Sequence, residues 1–195
     1  MSLQKNILKV SKSLLVEDGF SKLSMRKIAK RADVTATSIY LHFKNKDDLL
    51  LALIDDSIDN LKNILSEATD ESKGPITQLE DIARVYIKYA IENPQEYEVI
   101  YMVRPEEMPK YPKEKFNKIR SSFSLLADII SRGKDKDLFE VDDPVISAYS
   151  IWAQLHGIVS VILTKRLDTR IPKETFINQS IDHILQGIIN QKTPA

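Results

Sequence analysis

Apolar residues return every three or four positions along nearly the whole chain, and no segment sustains the two-residue alternation of a half-buried strand. That property restricts the fold to packed helices. Leu3, Ile7, Val10 and Leu14, with Leu15 widening the stripe, outline an amphipathic helix ending near Gly19. Ser24 can cap a short second helix with Ile28 and Ala29 inward, and Thr35 a third with Ile39 inward. Asn45 can cap a long helix carrying Leu49, Leu50, Leu53, Ile54, Ile58, Leu61 and Leu65 to about Ala68. Asp47 and Asp48 in its first turn suit the positive end of the helix dipole. Beyond a break at 71–75, helices are expected over 76–92, 95–103, 113–132, 144–165 and 173–190, bounded by Pro94, by Pro105, Pro109 and Pro112, and by the segments 133–143 and 166–172. The expected architecture is all-α, a three-helix amino-terminal domain followed by a larger helical domain.

Composition removes several function classes. With no cysteine there is no disulfide, thiolate metal site or cysteine nucleophile. Gly19, Gly74, Gly133, Gly157 and Gly187 are too scattered for a phosphate-cradling loop. His42, His156 and His183 have no metal-ligand spacing, and adjacent acids such as Glu80 and Asp81 point to different sides of a helix. No enzyme, cofactor or metal is expected. The apolar run 151–163, broken by Gln154 and His156, reads as too short to span a bilayer. Residues 1–12 lack an apolar signal-peptide core, so a soluble cytoplasmic protein without a membrane partner is expected.

The net charge of zero hides an asymmetry. Residues 1–46 hold ten basic side chains against three acidic ones, and residues 47–195 hold 18 against 25. A basic head on an acidic body fits a DNA-binding module joined to a non-binding one. The segment 24–46 has the parts of a helix-turn-helix, two short helices about a tight turn at 32–34. Ala29 is small where the helices cross, Val34 plugs the turn, and Ile39 and Phe43 anchor the second helix. That leaves Thr35, Ala36, Thr37, Ser38 and Tyr40 on its outward, amino-terminal side, where small groups allow close approach to bases and phosphates. Tyr40 could also serve as a packing aromatic, and His42 as a plain surface histidine.

Three blocks in this region resemble the signature of the tetracycline-repressor (TetR) family of bacterial transcriptional regulators: Leu23 to Ala29, Ala32-Asp33-Val34, and Tyr40 to Leu49 with its Tyr-x-His-Phe-x-x-Lys pattern. The resemblance covers about residues 5–55. Asp33 stands where a turn glycine is usual, which aspartate tolerates because it enters the left-handed region readily. Thr37 stands where Gly, Ala or Pro is common. By this resemblance Arg26 reaches DNA from the second helix, Thr35, Ala36, Thr37 and Ser38 face bases or sugar, and Tyr40, His42 and Lys46 hold phosphates. Lys46 has separate support, since its ammonium and the adjoining helix amino terminus can act together on one phosphate.

The helix expected at 144–165 is apolar on every side, which requires burial on every side. A partner subunit can supply the cover, and the stripe Phe176, Ile177, Ile181, Ile184, Leu185, Ile188 and Ile189 could join it in a two-fold four-helix interface. The alternative is a core helix within a monomer. Trp152 and His156, followed by Gly157, resemble the Trp…His-Gly signature of the family's WHG-type regulatory domain. With Tyr86, Tyr89, Tyr101 and Phe123 they could line an effector cavity. They could equally be a core pair, with Gly157 allowing close helix packing. The sequence thus points to a homodimeric, ligand-responsive regulator, expected to be a repressor of a pseudo-palindromic operator. Its DNA-binding domain would span 1–46 and its ligand-binding and dimerisation domain 47–195, linked by the helix 46–68, with the small-molecule effector unidentified. A helical dimeric interaction protein without specific DNA binding is the main rival reading, and a small helical enzyme the least favoured one.

Overall fold

The computed structural model describes residues 2–19, 22–101 and 113–190, and side chains throughout these except over 113–122. Among the described residues there are nine α-helices: α1 Leu3–Asp18, α2 Met25–Ala32, α3 Ala36–Tyr40, α4 Lys46–Glu67, α5 Pro75–Glu92, α6 Pro94–Tyr101, α7 Lys113–Asp135, α8 Pro144–Leu163 and α9 Lys173–Gln186. Extended pairing among these residues is confined to one antiparallel bridge between Phe139 and Ile189. The expected all-α architecture is what forms. The expected helix end at 102–103 and the cluster Pro105, Pro109 and Pro112 lie outside the described residues.

The capping residues act as the sequence leads one to expect. Ser24 accepts the Lys27 N–H, Thr35 the Ser38 N–H and Asn45 the Asp48 N–H, each satisfying a donor that the helix itself leaves open. Asp143 accepts two N–H groups at the start of α8, with Pro144 in the first turn, where no N–H is needed. Gly19 closes α1 with φ at 78°, a conformation costly for any residue with a Cβ.

Two compact units are present, Met1–Asn60 with Asn93–Lys118, and Leu61–Glu92 with Ile119–Ala195. The division expected at residues 46/47 falls inside the first unit, because α4 up to Asn60 and α6 pack with the amino-terminal helices. Ile7, Leu14, Ile28, Ile39, Phe43, Leu49, Leu50 and Leu53 form the core of that unit. Burying a side chain of this size contributes about 1.5–3 kcal/mol.

In the second unit, α5 packs on α8 and α9, and α8 on α9. Buried Gln78 ties the chain together here: its amide donates to the Asp70 carbonyl at 2.7 Å and accepts from Arg132 at 2.7 Å. Gly133 is required by close approach, since a Cβ there would stand 2.0 Å from the buried Phe139 ring. As expected of a helix that needs a partner to cover it, α8 is not covered on all sides within one chain. Ala148, Ile151, Leu155, Ile158 and Val159 are buried, while Val145, Ile146 and Tyr149 are exposed. One expectation for this unit is corrected: the stripe of α9 is largely spent internally, with Ile177, Ile181, Ile184 and Leu185 buried against its own unit. The helix α8 starts at Pro144, as expected, and its 20 residues are by length and composition alone long and apolar enough to cross a membrane.

Candidate nucleic-acid interface

The turn between α2 and α3 is made by Asp33, held in the left-handed region at φ 55° and ψ 47°. The Val34 N–H returns to the Ala29 carbonyl at 3.0 Å, so α2 ends sharply and α3 leaves at a fixed angle. Ile39 and Phe43 are buried and pin α3 down. This anchoring leaves Thr35, Thr37 and Tyr40 exposed, with Ala36 and Ser38 half-buried beside them. The Thr35 and Ser38 hydroxyls lie 2.8 Å apart, so the pair that caps the helix is ordered on its surface. Arg26 on α2 is exposed, as is His42, whose ring lies 6.3 Å from that of Phe43. Lys46 is half-buried at the first position of α4, where Asn45 accepts the Asp48 N–H and Asp48 accepts the Lys44 N–H at 2.9 Å. All eight residues singled out for DNA contact lie in the first unit, and none is fully buried.

The cations of the amino-terminal segment divide by role. Lys27 donates to Asp18 at 2.5 Å, which holds that carboxyl below its ordinary range, and Arg31 pairs with Glu17. Lys12 is buried, its ammonium bonded to Asp56 at 2.8 Å and Glu96 at 3.0 Å. The charge excess of this segment therefore overstates what faces outward. Lys5, Lys9, Lys22, Arg26, Lys30 and Lys44 are the exposed cations outside these pairs.

The residues expected at an effector site are only partly brought together. Phe123 meets Trp152 edge-on, with ring centroids 5.2 Å apart, and Trp152 lies 5.3 Å from His156. Tyr149, which sequence reasoning passed over, stacks on Phe123 at 4.5 Å. Its spacing three before Trp152 was the available signal. Burial lowers the His156 pKa, favouring the neutral imidazole. Tyr86 and Tyr89 are buried on α5 in the same unit, whereas Tyr101 belongs to the first unit, with its ring 4.9 Å from Tyr97. The open space around Gly157, with nothing within 4 Å of a Cβ built there, shows that this glycine is not demanded by packing within the chain.

An all-α chain whose short third helix is pinned by buried residues and presents its other side outward is a helix-turn-helix DNA-binding regulator. The model described as "Bacterial regulatory proteins, tetR family" matches residues 7–53, and that described as "Tetracyclin repressor-like, C-terminal domain" matches residues 79–186. The chain belongs to the tetracycline-repressor family of transcriptional regulators, which are not enzymes. A curated relative from Haemophilus influenzae, named an uncharacterized HTH-type transcriptional regulator, is 34% identical over 92 residues, 47% of this chain and 49% of the relative. The chain thus spans about half the length of that relative in the match. Similar solved structures include a Rhodococcus protein described as of unknown function, with TM-score 0.83, 22% identity and 97% of both chains covered. A TetR family transcription regulator from Marinobacter aquaeolei has TM-score 0.81 and 16% identity over 97% of this chain and 96% of that one. The fatty acid degradation regulator FadR from Bacillus halodurans has TM-score 0.77 and 19% identity over 93% and 94%. At these identities the structures agree in fold.

Proposed function

We propose that the protein is a homodimeric, cytoplasmic repressor that holds a pseudo-palindromic operator through α3 and releases it on binding a small molecule. Residues 1–46 act as the reading head, and residues 47–195 carry ligand binding and dimerisation. Thr35, Ala36, Thr37 and Ser38 meet bases or sugar, Arg26 reaches in from α2, and Tyr40, His42 and Lys46 hold phosphates. The observation that carries this reading is the outward face of α3, anchored by Ile39 and Phe43 beneath and bordered by exposed cations. An effector with an apolar body and a polar tip, received among Phe123, Trp152 and His156 with Tyr86 and Tyr89, would act through α4. Half-sites recur at about 34–36 Å or multiples of it, so a small change in head separation disfavours simultaneous engagement. The effector achieves this only by binding the two separations with different affinity.

Selection of bound fragments from a random duplex pool tests the reading. Enrichment of a two-fold sequence is expected, with affinity falling steeply as salt rises. Lys46→Ala should weaken binding to all sequences about equally and reduce the salt slope by roughly one per subunit. Failure to enrich any duplex, or binding indifferent to salt, would instead favour a helical interaction protein that does not read DNA.

A further inference from the structure

The exposed side chains on and beside α3 are polar or charged with one exception. Leu41, the residue that closes α3, is 81% exposed, more than any other large apolar side chain among the described residues. One exposed leucine is ordinary on a protein surface; the place of this one is not. Its backbone keeps helical dihedrals, φ −68° and ψ −23°, and its N–H donates to the Thr37 carbonyl at 3.2 Å. Leu41 therefore stands one turn beyond exposed Thr37, on the same side of the helix. Tyr40, 53% exposed, precedes it, and exposed His42 and Lys44 follow. The core makes no demand on Leu41, because Ile39 and Phe43, two residues to either side, already supply the buried anchors.

Building on the reading of α3 as the helix that enters the major groove, we propose that Leu41 is a specificity-determining residue that packs on the 5-methyl group of a thymine. The edges of the bases in that groove present donors, acceptors and one kind of apolar group, the thymine methyl. A side chain placed over phosphates would serve better as a cation, and Arg26, Lys44 and Lys46 already supply charge there. The methyl group of Thr37 extends the apolar strip by one turn, so the two side chains can follow neighbouring bases. Because the contact is neutral, it adds discrimination between sequences and no salt dependence.

The test uses the full chain and the duplex that the wild type enriches from a random pool. Each thymine of a half-site is replaced in turn by deoxyuridine, which removes the methyl group and leaves every hydrogen-bonding atom in place. At one position the wild type should lose about three- to fivefold in affinity per half-site, the size expected for one buried methyl group. Leu41→Ala should lose a similar factor on the thymine duplex, show no further loss on the deoxyuridine duplex, and keep the wild-type salt slope. Leu41→Met, still apolar at an exposed position, should keep the preference for thymine. Deoxyuridine affecting wild type and Leu41→Ala equally at every position would overturn the proposal, as would a loss by Leu41→Ala that is the same on all duplexes. If the wild type enriches no duplex, the helix-turn-helix reading fails first and this proposal falls with it.

Discussion

Asp33 and Lys165 both take a positive φ, 55° and 56°, yet only the first is readable from the sequence. Aspartate in a three-residue turn between two helix signals is a known occupant of that region. Lysine is not, and what places Lys165 there is the end of α8, where the Arg166 N–H bonds to the Val161 carbonyl at 2.9 Å and closes the last turn. His156 makes a similar point about environment. Its spacing from Trp152 showed a shared face, but the sequence held no sign of how far the ring would be withdrawn from water. Burial holds its pKa below the ordinary 6.5. Between those two values the unfolded chain binds more protons than the folded one, so the associated stability is whole above about pH 6.5 and declines as pH falls through the folded value. Thermal unfolding from about pH 8 to about pH 5 should therefore fall more steeply for the wild type than for His156→Gln. Equal slopes would show that His156 does not carry the effect.

Periodicity names the face a helix buries without naming what covers it, and both misjudgements at the scale of elements have that origin. The stripe of α9 was correctly located, but Ile177, Ile181, Ile184 and Leu185 spend it inside their own unit. On α1, Lys12 sits in line with Leu8 and Leu15, a cation within an apolar stripe, and by charge alone belongs to the basic head. The structure buries it to 8% exposure against Asp56 of α4 and Glu96 of α6, and the Asn60 amide donates to the second oxygen of Glu96 at 2.8 Å. Sequence could show the misplaced cation and not its partners, which lie 44 and 84 residues away. The group fixes three helices of one unit in register. Lys12→Met should cost about 3 kcal/mol in urea unfolding, at the lower edge for a broken buried pair because Asp56 remains half-exposed. Adding Glu96→Gln should restore part of that loss, since one of the stranded carboxylates is then neutral. A single variant as stable as wild type would mean that the ion pairs contribute nothing net.

For the molecule as a whole, the charge asymmetry and the all-round apolar character of α8 were legible in the sequence, and the structure sharpens what the second implies. Within one chain α8 leaves Val145 and Ile146 at 54% and 68% exposure, with Tyr149, Ala153 and Gly157 also exposed. A glycine inside a helix costs about 1 kcal/mol relative to alanine, and nothing within this chain approaches closely enough to require one at 157. If a second copy covers this face, as proposed, its backbone can come close at Gly157 only for want of a side chain. Two substitutions separate that account from a monomer with an idle glycine. Ile146→Glu places a charge in the proposed interface and should yield monomers by sedimentation at micromolar concentration, with loss of the gain from engaging two half-sites together. Gly157→Ala should weaken association of the otherwise wild-type chain. In the Ile146→Glu background the same change should stabilise the isolated chain by up to about 1 kcal/mol, since helix propensity then acts alone. A wild type that stays monomeric at every concentration, or a Gly157→Ala variant that associates more tightly, would place the role of this face elsewhere.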